Sequence, residues 1–126
     1  MIKSMISYKA GDIVLVVFPF SDLQGQKRRL GLVLADEVND VLLARLTTHA
    51  PRQVSDVALQ HWATIGLPRS STVRLTKLVT IDCRLVHHKI GHLHPEDAES
   101  VAQVWKRLTT IVTTELRKLV RPGKTG

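Results

Sequence analysis

Three consecutive basic residues, Lys27, Arg28 and Arg29, are the residues of this chain whose type and spacing most strongly suggest chemistry. A guanidinium group binds phosphate oxygens through two parallel hydrogen bonds and stays charged at neutral pH. The three residues stand where a polar loop meets an apolar run, and a loop held by a rigid sheet is a common place for binding and catalysis. At this junction of loop and strand, a rigid sheet can aim at least one guanidinium.

A second group of candidate residues, Thr47, Thr48 and His49, ends another apolar run. A threonine hydroxyl can donate one hydrogen bond and accept others. Histidine titrates near neutral pH, so His49 could accept or supply a proton. Because His49 lies two residues after Thr47, we expect both side chains on one strand face. An ordinary surface histidine is the alternative interpretation.

Four histidines, at positions 87, 88, 92 and 94, raise the question of a metal. A zinc site needs ligands that converge in a closed tetrahedron. A strand and turn containing Gly91 and Pro95 give these histidines no common face, and Cys83 has no second cysteine to join it. We therefore predict no metal and no cofactor. The sequence also lacks the G-x-S-x-G nucleophile motif of a Ser-His-Asp triad.

The bulk properties indicate a globular protein. Its 126 residues, 44% hydrophobic and 23% charged, suit one domain over residues 1–126, with flexible tails at 1–10 and 121–126. A single cysteine excludes an internal disulfide and fits a reducing compartment. No apolar run is long enough to span a bilayer, and the amino terminus lacks the apolar centre of a signal peptide. We expect a cytoplasmic protein with no membrane partner.

The charge balance favours a polyanionic partner. Lys and Arg number 18 against 11 Asp and Glu, giving a net charge of +7. Such a field speeds association with RNA, DNA, an acidic protein or an anionic membrane surface. Tyr8, Phe18 and Phe20 are the aromatic residues near the basic loop on which bases could stack.

Short strands dominate the predicted secondary structure. Apolar, β-branched runs predict strands at 12–18, 29–36, 41–47, 52–55 and 72–79, with a weaker one at 84–90. Pro19 ends the first strand, residues 21–26 form a loop, and Asn39-Asp40 predicts a hairpin turn. Residues 56–65 predict a short helix capped by Ser55 or Asp56 and stopped by Gly66, with Trp62 and Ile65 facing the sheet.

A long helix follows the strands. Pro95 suits its first position, acidic residues occupy its first turn, and Pro122-Gly123 ends the run. Three- and four-residue spacing predicts one apolar stripe, made of Val101, Val104, Trp105, Leu108, Ile111, Val112 and Leu119. Several short strands and one long helix predict a small barrel closed by a helix.

An ordered set of motifs resembles the MazF/PemK family of toxins from toxin–antitoxin pairs. The motifs are Gly11-Asp12, Phe18-Pro19, Arg28-Arg29 with Leu32-Val33-Leu34, Leu46-Thr47-Thr48, Trp62, Gly66-Leu67, Ser71-Thr72-Val73-Arg74, Lys77-Leu78 and Ile90-Gly91-His92-Leu93. The resemblance implies a mainly β fold with a C-terminal helix, an SH3-like small barrel of the MazF/CcdB type that forms a symmetric homodimer. It also implies a metal-independent endoribonuclease of single-stranded RNA, inhibited by an antitoxin with an acidic, partly disordered segment.

The resemblance also assigns roles to individual residues. Arg29, second in the arginine pair, matches the catalytic arginine, and Thr47 matches the catalytic threonine. His49 is added as a candidate proton acceptor. The RNA-binding candidates are Phe20, Lys27, Arg28, Thr48, Arg74 and Thr76.

Two positions depart from the family pattern. Leu30 stands where the family has proline, and Thr76 stands where some relatives have an acidic general base. These departures favour a second hypothesis, a non-catalytic module on the same barrel. That module would bind nucleic acid, or a protein target such as gyrase, as CcdB toxins do.

Overall fold

A computed structural model describes residues 7–18 and 27–120 of the chain. The described part contains six strands, a 3-10 turn and one helix. In chain order these are β1 (Asp12–Phe18), β2 (Lys27–Glu37), β3 (Asp40–Thr47), β4 (Asp56–Ala58), β5 (Thr72–Asp82), the 3-10 turn (Cys83–Leu85), β6 (Val86–His92) and α1 (Pro95–Arg117). The strands predicted at 12–18, 29–36, 41–47 and 72–79 are confirmed, and the weaker one at 84–90 lies at 86–92. The predicted loop at 21–26 lies outside the described residues.

The strands form one antiparallel sheet in the order β4-β5-β3-β2-β1-β6. Its edge strands, β4 and β6, do not pair with each other in the described part of the chain. The predicted class, mainly β with a C-terminal helix, is therefore confirmed, although hydrogen bonds between the described strands do not close the sheet. β2 and β3 are joined by a turn at 38–39, next to the predicted Asn39-Asp40 turn.

Two apolar clusters lie on the two faces of this sheet, because successive side chains of a strand point to opposite sides. Leu32 and Leu46 belong to the cluster that packs against α1, together with the half-buried Trp62 and Ile65. Val33 and Leu43 belong to the other cluster, which includes Tyr8. Tyr8 is buried, so this part of the predicted 1–10 tail packs on the sheet.

The predicted strand at 52–55 and helix at 56–65 are both wrong. Asp56 does not cap a helix but begins β4, and its carboxylate accepts the N–H groups of the preceding Arg52 and Gln53 at 2.9 and 3.3 Å. Residues 60–66 are turns, held by the fully buried Asp97, which accepts the N–H groups of Gln60 and His61. Local propensity could not reveal this anchor, because it comes from α1.

The C-terminal helix is confirmed from Pro95, with the His94 ring accepting the Glu96 N–H at its start. Only its first half packs on the sheet, through Val101, Val104, Trp105 and Leu108. The second half of the predicted apolar stripe is exposed: Ile111 and Val112 are 48% and 49% accessible, and Leu119 lies beyond the helix end.

Candidate functional site

A cleft of about 330 Å³ opens where β3 ends, away from the β2–β3 turn. Arginine and threonine side chains supply much of its wall. The lining residues are Arg28, Arg29, Leu30, Arg45, Leu46, Thr47, Thr48, His49 and Ser71. The two residues expected to act on a phosphate, Arg29 and Thr47, therefore share one cleft.

Strand register explains why these residues meet. Arg45 of β3 pairs with Gly31 of β2 and with Arg74 of β5. Residues directly opposite each other point to the same face, as do residues two apart on one strand. Arg29, two residues before Gly31, and Thr47, two residues after Arg45, consequently lie on the face that carries Arg45 and Arg74.

The arginines on this face differ in whether they have a carboxylate partner. Arg74 Nε lies 3.4 Å from Asp56 Oδ1, and that carboxylate is almost completely buried. By contrast, the buried Nε atoms of Arg29 and Arg45 have no hydrogen-bond partner within residues 7–18 and 27–120. Burial lowers the pKa of Arg45, and repulsion from Arg29 and Arg74 lowers it further. Three guanidinium groups thus converge, and Asp56 is the one described carboxylate in salt-bridge contact with them.

His49 does not share a strand face with Thr47, because β3 ends at Thr47. Beyond the strand, the His49 N–H donates to the Thr47 hydroxyl oxygen at 3.2 Å. This turn brings the exposed His49 side chain to the same cleft by a different route. Among residues 7–18 and 27–120, no group is recorded as accepting the hydroxyl hydrogen of Thr47, which can donate while its oxygen accepts.

The other predicted contact residues have different positions. Arg28 and Thr48 are exposed and line the cleft. Thr76 is exposed and lies outside the cleft. It belongs to a bulge of β5, because neighbouring β3 residues pair with Arg74 and then with Leu78. Phe20 and the Lys27 side chain lie outside the described residues.

Sequence reasoning missed Arg45 and Asp56. Arg45 had a usable signal, since it precedes Thr47 by two residues on a predicted strand and so shares its face. Asp56 had none, because its partner Arg74 is 18 residues away and is brought close only by β4–β5 pairing.

The described residues bring three ligand-type side chains together elsewhere, at His61, His94 and Glu96, with ligand atoms within 4.8 Å of one another. Their hydrogen bonds are internal: a His61 ring nitrogen lies 2.7 Å from Glu96, and the His94 ring accepts the Glu96 N–H. The two imidazoles are stacked with centroids 3.6 Å apart, so their nitrogens do not converge on a tetrahedral centre. We interpret this group as a cap of α1.

Several solved structures share this fold. The MazE–MazF complex of Deinococcus radiodurans matches with a TM-score of 0.68 and 21% identity, over 86% of this chain and 97% of that chain. An endoribonuclease in complex with its cognate antitoxin, from a mycobacterial species, matches with a TM-score of 0.62 and 19% identity, over 89% and 96%. The Mycobacterium tuberculosis toxin MazF-mt6 matches with a TM-score of 0.57 and 23% identity, over 72% and 90%. This likeness identifies a MazF-type fold.

A sequence-family model gives the more specific result. The family described as PemK-like, MazF-like toxin of type II toxin-antitoxin system matches residues 9–109. The chain belongs to this family, as its motifs predicted. No curated protein sequence matches the chain closely enough to count as a relative. Within the described residues, no helix has the length and apolar character required to cross a membrane.

Proposed function

We propose that this protein is the toxin of a type II toxin–antitoxin pair and that it cuts single-stranded RNA at short sequences. The observation that carries the proposal is the cleft shared by Arg29 and Thr47, in a chain that belongs to the PemK-like, MazF-like family. Two neighbours in fold are described as endoribonucleases, which supports the same activity here.

The proposed reaction uses a nucleophile that RNA itself carries. The 2′-oxygen forms a bond to the adjacent phosphorus while the bond from phosphorus to the 5′-oxygen breaks. The proton of the 2′-hydroxyl passes to a base, and the leaving oxygen takes a proton from an acid or from solvent. Since this route needs no bound metal ion, the protein has to orient the phosphate and stabilise its developing negative charge.

Arg29 and Thr47 are suited to these two tasks. The half-buried Arg29 has a fixed strand backbone and a buried Nε without a partner among the described residues. Its guanidinium would bind the phosphate oxygens and stabilise the transition state. Thr47 would donate its hydroxyl hydrogen to the same phosphate, while its oxygen accepts the His49 N–H.

The base is proposed to be His49. It is exposed, lines the cleft and follows Thr47 closely, whereas Thr76 has no titratable group and lies outside the cleft. An imidazole accepts protons near neutral pH. Arg28 and Thr48 would hold flanking nucleotides from the exposed rim, and Phe20, Lys27, Arg74 and Thr76 remain proposed RNA contacts.

The test is incubation of the protein with mixed-sequence single-stranded RNA in EDTA, followed by mapping of the product ends. We expect discrete cuts that carry 2′,3′-cyclic phosphates. Loss of one preorganised donor typically costs about 10²–10³-fold in rate, so Arg29→Ala should lose at least that much. Arg107→Ala is the matched control, because Arg107 is an exposed arginine of α1 that does not line the cleft. RNA that stays intact while bound would overturn the proposal in favour of the non-catalytic module.

The partner of this toxin is proposed to be an antitoxin with an acidic, partly disordered segment, which would order along the cleft as it binds. The charge of +7 supports an acidic partner, and two solved neighbours are MazE–MazF complexes. An acidic peptide from that segment should displace a labelled RNA, and no displacement at saturating peptide would exclude a shared surface.

We further propose a cytoplasmic homodimer, which sedimentation analysis would distinguish from a monomer.

A further inference from the structure

Arg45 is a cleft residue to which neither the family motifs nor the proposed mechanism gives a role. It lies on β3 directly opposite Gly31 of β2. Arg29 lies two residues from Gly31 along β2, at the diagonal position where long side chains reach each other. Register thus places Arg45 beside Arg29 and Thr47.

The environment of Arg45 is unfavourable for a residue that only stabilises the fold. Its guanidinium is partly buried, faces the charges of Arg29 and Arg74, and leaves a buried Nε without a partner in the part of the chain that the structure describes. A buried polar group without a partner costs stability, and like charges add to that cost. Such a group is expected where a ligand completes the hydrogen bonds.

Arg74 provides the internal comparison. It belongs to the same cluster, but its Nε is 3.4 Å from the buried Asp56 carboxylate, which also holds two backbone N–H groups. Arg74 therefore has an anion supplied by the protein. The buried Nε–H groups of Arg29 and Arg45 have no hydrogen-bond acceptor among the described residues.

We propose that Arg45 is a second catalytic arginine, which binds the scissile phosphate of RNA together with Arg29. This inference rests on the proposed ribonuclease function. A phosphorane formed from an RNA diester carries two negative charges on its non-bridging oxygens, and two guanidinium groups can each bind one of them. The step changes no bond at Arg45, which stays protonated and only donates hydrogen bonds.

The experiment compares Arg45→Met and Arg45→Lys with the Arg107→Met control. Three quantities are measured: kcat on a short RNA, the salt dependence of binding to the 2′-O-methyl form of that RNA, which lacks the nucleophile, and the Tm with and without inorganic phosphate. We expect Arg45→Met to lower kcat by about 10²-fold or more, as for loss of a transition-state donor. The slope of log affinity against log salt should fall by about one.

Stability separates this role from a structural one. Arg45→Met should keep or raise the Tm in chloride, because it removes an uncompensated charge, and should reduce the rise in Tm that phosphate gives the wild type. Arg45→Lys should recover the salt slope but not kcat, since an ammonium group cannot bind in a bidentate manner. Wild-type kcat and salt slope in Arg45→Met would overturn the proposal. If Arg45→Met does not fold, a wild-type kcat in Arg45→Lys would also overturn the proposal.

The two proposals fail in different ways. If the wild type binds RNA but never cleaves it, both the ribonuclease function and the catalytic role of Arg45 are wrong. A salt slope that still depends on Arg45 would then show only that Arg45 binds a phosphate. If the wild type cleaves and Arg45→Met cleaves equally well, the ribonuclease function stands and this inference alone is wrong.

Discussion

The two ends of the β2–β3 strand pair, on one face of the sheet, are built in opposite ways. Near the hairpin turn, Val33, Val41 and Leu43 are fully buried in an apolar cluster. At the far end the same face carries Arg29, Arg45 and Thr47, which line the cleft. The apolar end stabilises the strands, at about 1.5–3 kcal/mol for each large side chain that is fully buried. The basic end brings together charges that repel one another. A cluster of charges that repel one another can be tolerated at one end, because the apolar end holds the strands in register.

Charged groups at the two ends extend the comparison. Asp12, which begins β1 beside the apolar end, is 2% exposed, yet it accepts hydrogen bonds from the Lys9 N–H and His92 and contacts Lys89. Its charge is fully compensated by the described residues around it. Arg29 and Arg45, at the other end, have buried Nε atoms that the described residues leave without partners. Asp12 therefore has its partners within the fold, whereas Arg29 and Arg45 keep donors that the proposed RNA phosphate would use.

The largest effect on stability is expected from Leu43→Ala at the apolar end. Removal of a fully buried leucine side chain costs about 2–5 kcal/mol of unfolding free energy. Urea denaturation would measure this loss, with Val38→Ala as the control, because Val38 in the hairpin turn is 72% exposed. A loss equal to that of the control would mean that the apolar end does not hold the strands.

A smaller loss is expected from Asp56→Asn at the basic end. This change leaves Arg74 without its carboxylate, and an unsatisfied buried partner costs about 1–3 kcal/mol. Because three guanidinium groups would then be uncompensated, added salt should restore part of the stability. Denaturation at low and high salt would test this, with the exposed Asp40→Asn as the control. A loss that is independent of salt would contradict the charge argument.

A third prediction concerns pH and Asp12. Burial alone would raise the pKa of this carboxyl group, but hydrogen bonds from Lys9, His92 and Lys89 outweigh it and lower the pKa below its usual value. The stability from this group is therefore present above the unfolded pKa, near 3.9, and is lost as pH falls through the lower folded pKa. Acid titration of stability should show this loss in the wild type and not in Asp12→Asn. An unchanged acid transition in the variant would contradict it.

The smallest effect is expected at Asp82, a partly exposed residue at the end of β5. The side chain and backbone N–H of Arg84 donate to this carboxylate and lower its pKa to about 2. Arg84→Ala should raise that pKa toward the ordinary value, as followed by NMR, and should leave the denaturation midpoint within error. A large loss of stability would show that this salt bridge between Asp82 and Arg84 contributes substantially to folding.

Prediction from the sequence succeeded where the signal was local or belonged to a family motif. The periodicity of residues 12–18 and 41–47 gave strands, and Pro95 gave the start of the helix. The Arg28-Arg29 and Leu46-Thr47-Thr48 motifs gave two sides of one cleft. Prediction failed at residues 56–65, where Asp97 holds a run of turns in a segment with helical propensity.

The alternation of apolar and polar positions along each strand follows from the sequence alone, because side-chain direction is fixed by backbone geometry within a few residues. Family membership and an excess of positive charge can also be read from the sequence. Which of the arginines has a carboxylate partner depends instead on tertiary contacts. Arg74 pairs with Asp56 through the contact between β4 and β5, whereas Arg45 meets Arg29 through the register of β2 and β3. Partners of this kind depend on strand register and on pairing between segments such as β4 and β5, and the pattern within one strand does not specify which side chain of the next strand it meets.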